Sequence, residues 1–158
     1  MDIKKISRLE TAKVSSFFQE HWGTKEMVLS TGIYHCDQLD GFAIIGEDGG
    51  IAGLITFSIE ESECEIVSLD SLIENKGIGS SLVSAVEEAA KKAGCNKIKL
   101  ITTNDNIHVL GFYQRRGYRM AEIFPNAVQE ARKRKPEIPL IAENGIPIRD
   151  EILLVKSI

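Results

Sequence analysis

The stretch from Glu65 to Leu82, EIVSLDSLIENKGIGSSL, constrains this chain more than any other. It reads as a strand, a short loop and the start of a helix, with Lys76-Gly77-Ile78-Gly79-Ser80-Ser81 as a glycine-rich turn at its centre. Two glycines one residue apart turn the backbone tightly and leave no Cβ to obstruct a ligand. The first N–H groups of the following helix have no intrahelical partner. With the helix dipole they form a seat for an anion, most naturally a phosphate or diphosphate. A Rossmann fingerprint would need a third glycine at position 82, which is Leu82, and an acidic residue ending the next strand. A Walker A loop would need Gly-Lys-Ser/Thr after four intervening residues, and that is absent. In isolation, a strand-to-helix turn whose glycines serve only geometry is the simpler reading.

The surroundings sharpen it. Gly41 to Gly46, GFAIIG, predicts a strand, and Glu47-Asp48-Gly49-Gly50 a hairpin turn. Ile51 to Glu60 is the return strand, and a second acidic turn leads into CEIVSLDSL. Three consecutive antiparallel strands therefore precede the glycine turn. Upstream, residues 2–7 predict a first strand, and Thr11 to Glu20 a helix with Val14, Phe17 and Phe18 on one face. From His21 to Gly41 no period persists, which predicts a long connection with a little local structure.

Downstream, Leu82, Val83, Val86, Ala89, Ala90 and Ala93 predict an amphipathic helix over 79–93, closed by Gly94. Lys97 to Thr102 is a strand. Asn106 to Arg116 is a short helix with Gly117 as its cap, and Tyr118 to Phe124 is another strand. Asn126 to Lys135 is a helix with Asn126 as N-cap, stopped by Pro136. A proline-punctuated connection then precedes a last strand from Arg149 to Lys156. The order β-α-loop-β-β-β-α-β-α-β-(α)-β describes one α/β (α+β) domain over residues 1–158. Its sheet is mixed, mostly antiparallel, of six to seven strands with helices on both faces.

Net charge of −4 argues against general nucleic-acid binding and gives no support for an anionic membrane partner. No apolar run approaches the roughly 18 residues of a membrane span. No signal-peptide pattern opens the chain, so a cytoplasmic location is the default expectation. Cys36, Cys64 and Cys95 show neither a disulfide framework nor metal-ligand spacing, so no metal is expected. Cys64 and Cys95 read as small core residues.

Two motifs and the element order together resemble the Gcn5-related N-acetyltransferase (GNAT) superfamily. The family's Gln/Arg-x-x-Gly-x-Gly/Ala loop is matched by Glu74-Asn75-Lys76-Gly77-Ile78-Gly79. Its Asn-x-x-Ala-x-x-Phe/Leu-Tyr signature, followed by Gly-Phe/Tyr, is matched by Asn106 to Tyr113 and then Gly117-Tyr118. Glu74 departs from the pattern by placing a carboxylate near the diphosphate, and Val109 replaces the usual alanine.

The resemblance implies acetyl-CoA (coenzyme A) as the donor, lodged in a splayed slot of the sheet. Its diphosphate would sit on Gly77, Ile78, Gly79, Ser80 and Ser81, with Lys76 adding charge. Its pantetheine arm would pair with the backbone of Leu69, Asp70 and Ser71, and Asn106 would either bond the arm or act as an N-cap. Tyr113 matches the tyrosine that protonates the leaving thiolate. Glu65, in Glu65-Ile66-Val67, resembles the family's carboxylate base, although an exposed strand residue is the slightly favoured reading.

His21, Tyr34 and His35 flank the acceptor side as alternative bases or substrate contacts. His108 reads as a surface residue. The run Arg132-Lys133-Arg134-Lys135 suits a helix C-terminus, with an acidic ligand as the alternative. Residues 126–148 form either a lid over the acceptor or an element of a homodimer. The implied activity is N-acetylation of a small-molecule primary amine by direct attack in a ternary complex. A non-catalytic acyl-CoA sensor and a protein N-terminal or lysine acetyltransferase stay open.

Overall fold

The computed structural model describes residues 2–24, 26–29, 31–73 and 77–158. In chain order its elements are β1 (Ile3–Lys5), α1 (Thr11–Trp22), β2 (Glu26–Leu29), β3 (Gly32–His35), β4 (Asp40–Ile45), β5 (Ile51–Glu60) and β6 (Glu63–Ser71). After them come α2 (Ile78–Lys92), β7 (Lys97–Thr103), α3 (Ile107–Arg115), β8 (Arg119–Phe124), α4 (Ala127–Arg134) and β9 (Glu151–Ser157). Short 3-10 turns follow β1 and β3. The fold class is the expected mixed, mostly antiparallel α/β arrangement. The chain divides into two compact units, residues 1–27, 34–98 and 158 in the first, and 28–33 and 99–157 in the second.

In the first unit the strand order is β1-β4-β5-β6, antiparallel throughout. The β4–β5 turn closes where Asp-Gly-Gly permits it. Gly49 has φ +81°, and the Asp48 carboxylate accepts the Gly50 N–H at 2.9 Å. β5 is buried almost end to end because helices cover both its faces. Leu54 packs with Phe17 and Phe18 of α1 and with Val67 of β6. On the opposite face Gly53 lies under Ile78 and Leu82 of α2.

α2 buries Ile78, Leu82, Val83, Val86 and Ala90, one helical stripe, and ends as its glycine predicts. Gly94 has φ +86°, its N–H bonds the Lys91 carbonyl, and the Cys95 N–H returns to Ala90, a Schellman closure. All three cysteines are free and buried. Burial first, helped by the neighbouring Cys95 and Glu65, pushes the Cys64 thiol up to about 12, so it stays an inert core residue.

In the second unit the order is β7-β9-β8, with β8 and β9 antiparallel. α3 buries Leu110 and Tyr113 and ends at Gly117, φ +92°. The Gly117 and Tyr118 N–H groups bond the Gln114 and Tyr113 carbonyls, a second Schellman closure. The rings of Tyr113 and Tyr118 meet edge to face at 5.2 Å. Beyond α4 the segment to Ile148 is held by Arg132, whose guanidinium donates to the carbonyls of Ile138 (3.2 Å), Pro139 (2.5 Å) and Ile148 (2.7 Å).

Two expectations are corrected and a third is filled in. The little local structure expected in the long connection is a pair of strands, residues 26–29 and 32–35. Each has only four residues, and β2 is half-buried at every position, so no alternation could show. Asn126 makes no capping bond with its side chain. It sits in the left-handed region, φ +60°, and donates its N–H to Asp150. The last strand begins at Glu151, because the main chain of Arg149 and Asp150 is taken by the Asn104 side chain. Among the described residues no helix is long and apolar enough to cross a membrane.

Candidate active site

The middle of β6 carries the first group of site residues. Opposite β5, Ile66 faces Phe57 and Ser68 faces Thr56, so Val67 has no partner and forms a bulge. Glu65, Ser68 and Asp70 lie opposite Ser58, Thr56 and Leu54. Cross-strand partners share a face and alternate β5 residues point the same way, so these three side chains lie on the face covered by α1. Glu65 is therefore no exposed strand residue. It is 5% exposed and accepts a hydrogen bond from the Tyr34 hydroxyl at 3.1 Å. Next along the face, the Thr56 and Ser68 hydroxyls bond each other at 2.6 Å, fully buried. Then Asp70 accepts the Trp22 indole N–H at 2.7 Å.

Burial pushes the Asp70 carboxyl above its ordinary range. The Trp22 hydrogen bond and the nearby His21 oppose that shift. Of the three side chains offered by the sequence, Tyr34 reaches Glu65, His21 lies tilted against Phe17, ring centroids 4.5 Å apart, near Asp70, and His35 is exposed. Trp22, Thr56 and Ser68 were not singled out in the sequence. Their only signal is polarity inside an otherwise apolar strand pair, and a lone tryptophan at a helix end.

The start of α2 holds the second group of residues expected from the sequence. Gly77 is its N-cap, in the left-handed region at φ +69°, and no side chain caps the helix. The Ser81 N–H bonds the Gly77 carbonyl at 3.0 Å, so the amides of Ile78, Gly79 and Ser80 precede the first intrahelical bond. That arrangement fits a diphosphate. Lys76 and Glu74 lie outside the described residues.

The main chain of β6 narrows the expected pairing. The Leu72 N–H bonds the Ala52 carbonyl at 2.9 Å, so Ala52/Leu72 and Leu54/Asp70 are the hydrogen-bonded pairs of the ladder. Asp70 thus spends its main-chain groups on β5. Those of Leu69 and Ser71 point away from β5. The Ser71 hydroxyl bonds the Ile73 carbonyl.

The second unit holds Asn106 and Tyr113. Asn106 stands before α3 but makes no capping bond. Its amide NH2 donates to the hydroxyls of Thr102 (3.0 Å) and Thr103 (3.2 Å), which fixes the amide. Tyr113 is 3% exposed, its ring edge to face with Phe112 and Tyr118. His108 is exposed, as expected.

Asn104, which sequence patterns do not single out, ties β7 to β9. Its oxygen accepts the N–H groups of Arg149 and Asp150, both at 3.0 Å, and its NH2 donates to the Pro147 carbonyl at 2.9 Å. Asn144 adds a bond to the Asp105 carbonyl.

A meander of antiparallel strands thus leads to a helix whose first turn carries no side-chain cap. The sequence profile of the acetyltransferase (GNAT) family matches residues 8–118. The uncharacterized protein YdhI of Bacillus subtilis (strain 168) is 61% identical over 97% of both chains. A GNAT family acetyltransferase from Elizabethkingia anophelis, solved with acetyl-CoA bound, superposes with a TM-score of 0.66 at 25% identity over 76% of each chain. A Bacillus subtilis acetyltransferase in complex with CoA gives a TM-score of 0.69 at 22% identity, covering 99% of this chain and 97% of that one. The chain belongs to the GNAT acetyltransferase family.

Proposed function

We propose that this protein transfers the acetyl group of acetyl-CoA to a primary amine of a small molecule, by direct attack in a ternary complex. The observation that carries this reading is Glu65, a carboxylate buried in β6 and held by the Tyr34 hydroxyl. A sheet core gains nothing from a buried acid, so its position suits chemistry better than folding. Glu65 takes the proton that an ammonium must lose before its nitrogen attacks. The Leu69 N–H, pointing away from β5, supports the carbonyl oxygen as it gains charge. Tyr113 returns a proton to the departing thiolate. The amides at the start of α2, with Lys76, hold the diphosphate, and the Asn106 oxygen bonds the pantetheine amide. When bound, acetyl-CoA supplies the activated thioester.

Two measurements test this. Saturating acetyl-CoA should raise the melting temperature by ligand-linked stabilisation. Thiol release across a panel of small amines should then reveal turnover. Absence of any thermal shift would remove the donor assignment. A shift without turnover on any amine would turn the reading toward a sensor.

A further inference from the structure

β8 is the last strand of its sheet, so among the described residues one side of its main chain meets no other strand. Residues 119–123 are exposed and Phe124 is half-buried. The two large apolar side chains are open to water, Met120 at 49% and Ile123 at 60%. They are three positions apart, and plain alternation would put them on opposite faces. The register against β9 gathers them instead. Met120 faces Leu154 and Ile123 faces Ile152, with Ala121 as an unpaired bulge between them. Leu154 and Ile152 are buried on one face of β9, so Met120 and Ile123 carry that apolar face out to the sheet edge.

The same bulge sets Arg119 and Glu122 together on the other face, opposite Val155 and Leu153. Among the described residues neither side chain makes an ion pair or a hydrogen bond. A bulge or a charge on an edge strand usually blocks pairing. These charges do the reverse for one partner, an inverted copy of β8. In an antiparallel pair related by a two-fold axis, every contact occurs twice. With that axis between Met120 and Ala121, Arg119 stands opposite the partner's Glu122, and Glu122 opposite the partner's Arg119. On the apolar face the same register brings the two Met120 side chains together.

We propose that the free edge of β8 is an interface for a second copy of this chain, which adds its own β8 antiparallel across a two-fold axis. The outward amides and carbonyls of the two strands then bond each other, and Met120 and Ile123 leave water. The interface is independent of the acetyl-transfer reading and goes beyond it. Six residues a side is well below the about 20–30 of a standard interface, so the dimer is weak and concentration-dependent.

The test uses the full chain and needs neither acetyl-CoA nor turnover. Sedimentation velocity should show monomer giving way to dimer between about 1 and about 200 μM. Over the same range, hydrogen exchange should slow at Arg119–Phe124. Arg119→Glu and Glu122→Arg each set like charges opposite, twice per dimer, and should weaken association by about tenfold or more. The double variant restores opposite charges and should dimerise as the wild type does. All three change only exposed side chains, and circular dichroism checks their fold. A wild type still monomeric at the highest concentration, β8 exchange indifferent to concentration, single reversals that dimerise undiminished, or a double variant no tighter than the singles would overturn the interface. The exchange measurement needs no variant, so it decides alone should a reversal fail to fold.

Discussion

Gly53→Ala isolates the packing that sets the start of α2. A Cβ built on Gly53 meets Ile78 Cγ2 closer than real Cβ atoms come to any neighbour, with Leu82 Cδ1 and the Asp70 carbonyl oxygen both at 3.2 Å. Ile78 is β-branched, buried and the first residue of α2, so it has little rotamer freedom with which to retreat. The carbonyl belongs to the β5–β6 ladder and is equally fixed. The helix start must lift from the sheet. Overpacking of this kind costs about 1–3 kcal/mol, and replacing glycine in a strand returns about 0.5–1 kcal/mol. The net cost is about 0–2.5 kcal/mol, so at roughly 2–4 °C per kcal/mol for a domain of this size the melting temperature should fall, by up to roughly 10 °C.

Gly111→Ala is the matched control with the opposite sign. There a Cβ meets only the mobile end of Arg115, at 3.0 Å, inside helix α3. It should gain about 0.5–1 kcal/mol. Differential scanning fluorimetry measures both, and repeating it with acetyl-CoA shows whether the displaced helix start still receives the donor. A Gly53→Ala protein that melts at or above the wild-type temperature would refute the close-contact reasoning.

Tyr113→Phe should slow acetyl transfer by about a hundredfold or more while the acetyl-CoA thermal shift persists; undiminished thiol release would remove Tyr113 as the acid. Asn104→Ala strips the acceptor from two main-chain N–H groups and should cost about 1–3 kcal/mol, with faster hydrogen exchange at Arg149 and Asp150. Unchanged exchange there would show that Asn104 does not hold the segment. The N–H of Asn126, then the side chain of Arg149, hold the Asp150 carboxyl below its ordinary range. A depressed carboxyl stabilises the fold above its unfolded value, about 3.9, and loses that effect as pH falls through its folded value. Asp150→Asn should therefore melt below the wild type at pH 7, with the difference closing below about pH 4; a gap that does not change with pH would refute it.

What the sequence made legible depended on whether the signal was local. β5 was read to the residue because acidic turns bound it on both sides. Gly94 and Gly117 were read as helix ends because a Schellman closure needs a positive φ at one fixed position. The face carrying the candidate site was not legible. The Tyr34–Glu65 and Trp22–Asp70 bonds join residues 31 and 48 positions apart, and no periodicity records such a meeting. Alternation along β6 fails at Val67, so counting by twos from Asp70 would put Glu65 on the wrong side of the sheet. The choice among His21, Tyr34 and His35 turned on the chain path, because residues 32–35 form a strand where no period had pointed to one.

The segment between α4 and β9 is fastened almost wholly through its main chain. Arg132 grips three carbonyls, and Asn104 takes two amides and a carbonyl. Peptide groups are the same whatever side chains they bear. Arg132 and Asn104, both outside the segment, therefore fix most of its course, with Asn144 and Asp150 adding side-chain bonds of their own, while positions such as Leu140 and Ile141, turned outward, are left free to drift. A protein built this way can change what its surface presents along that stretch without re-solving how the stretch is held.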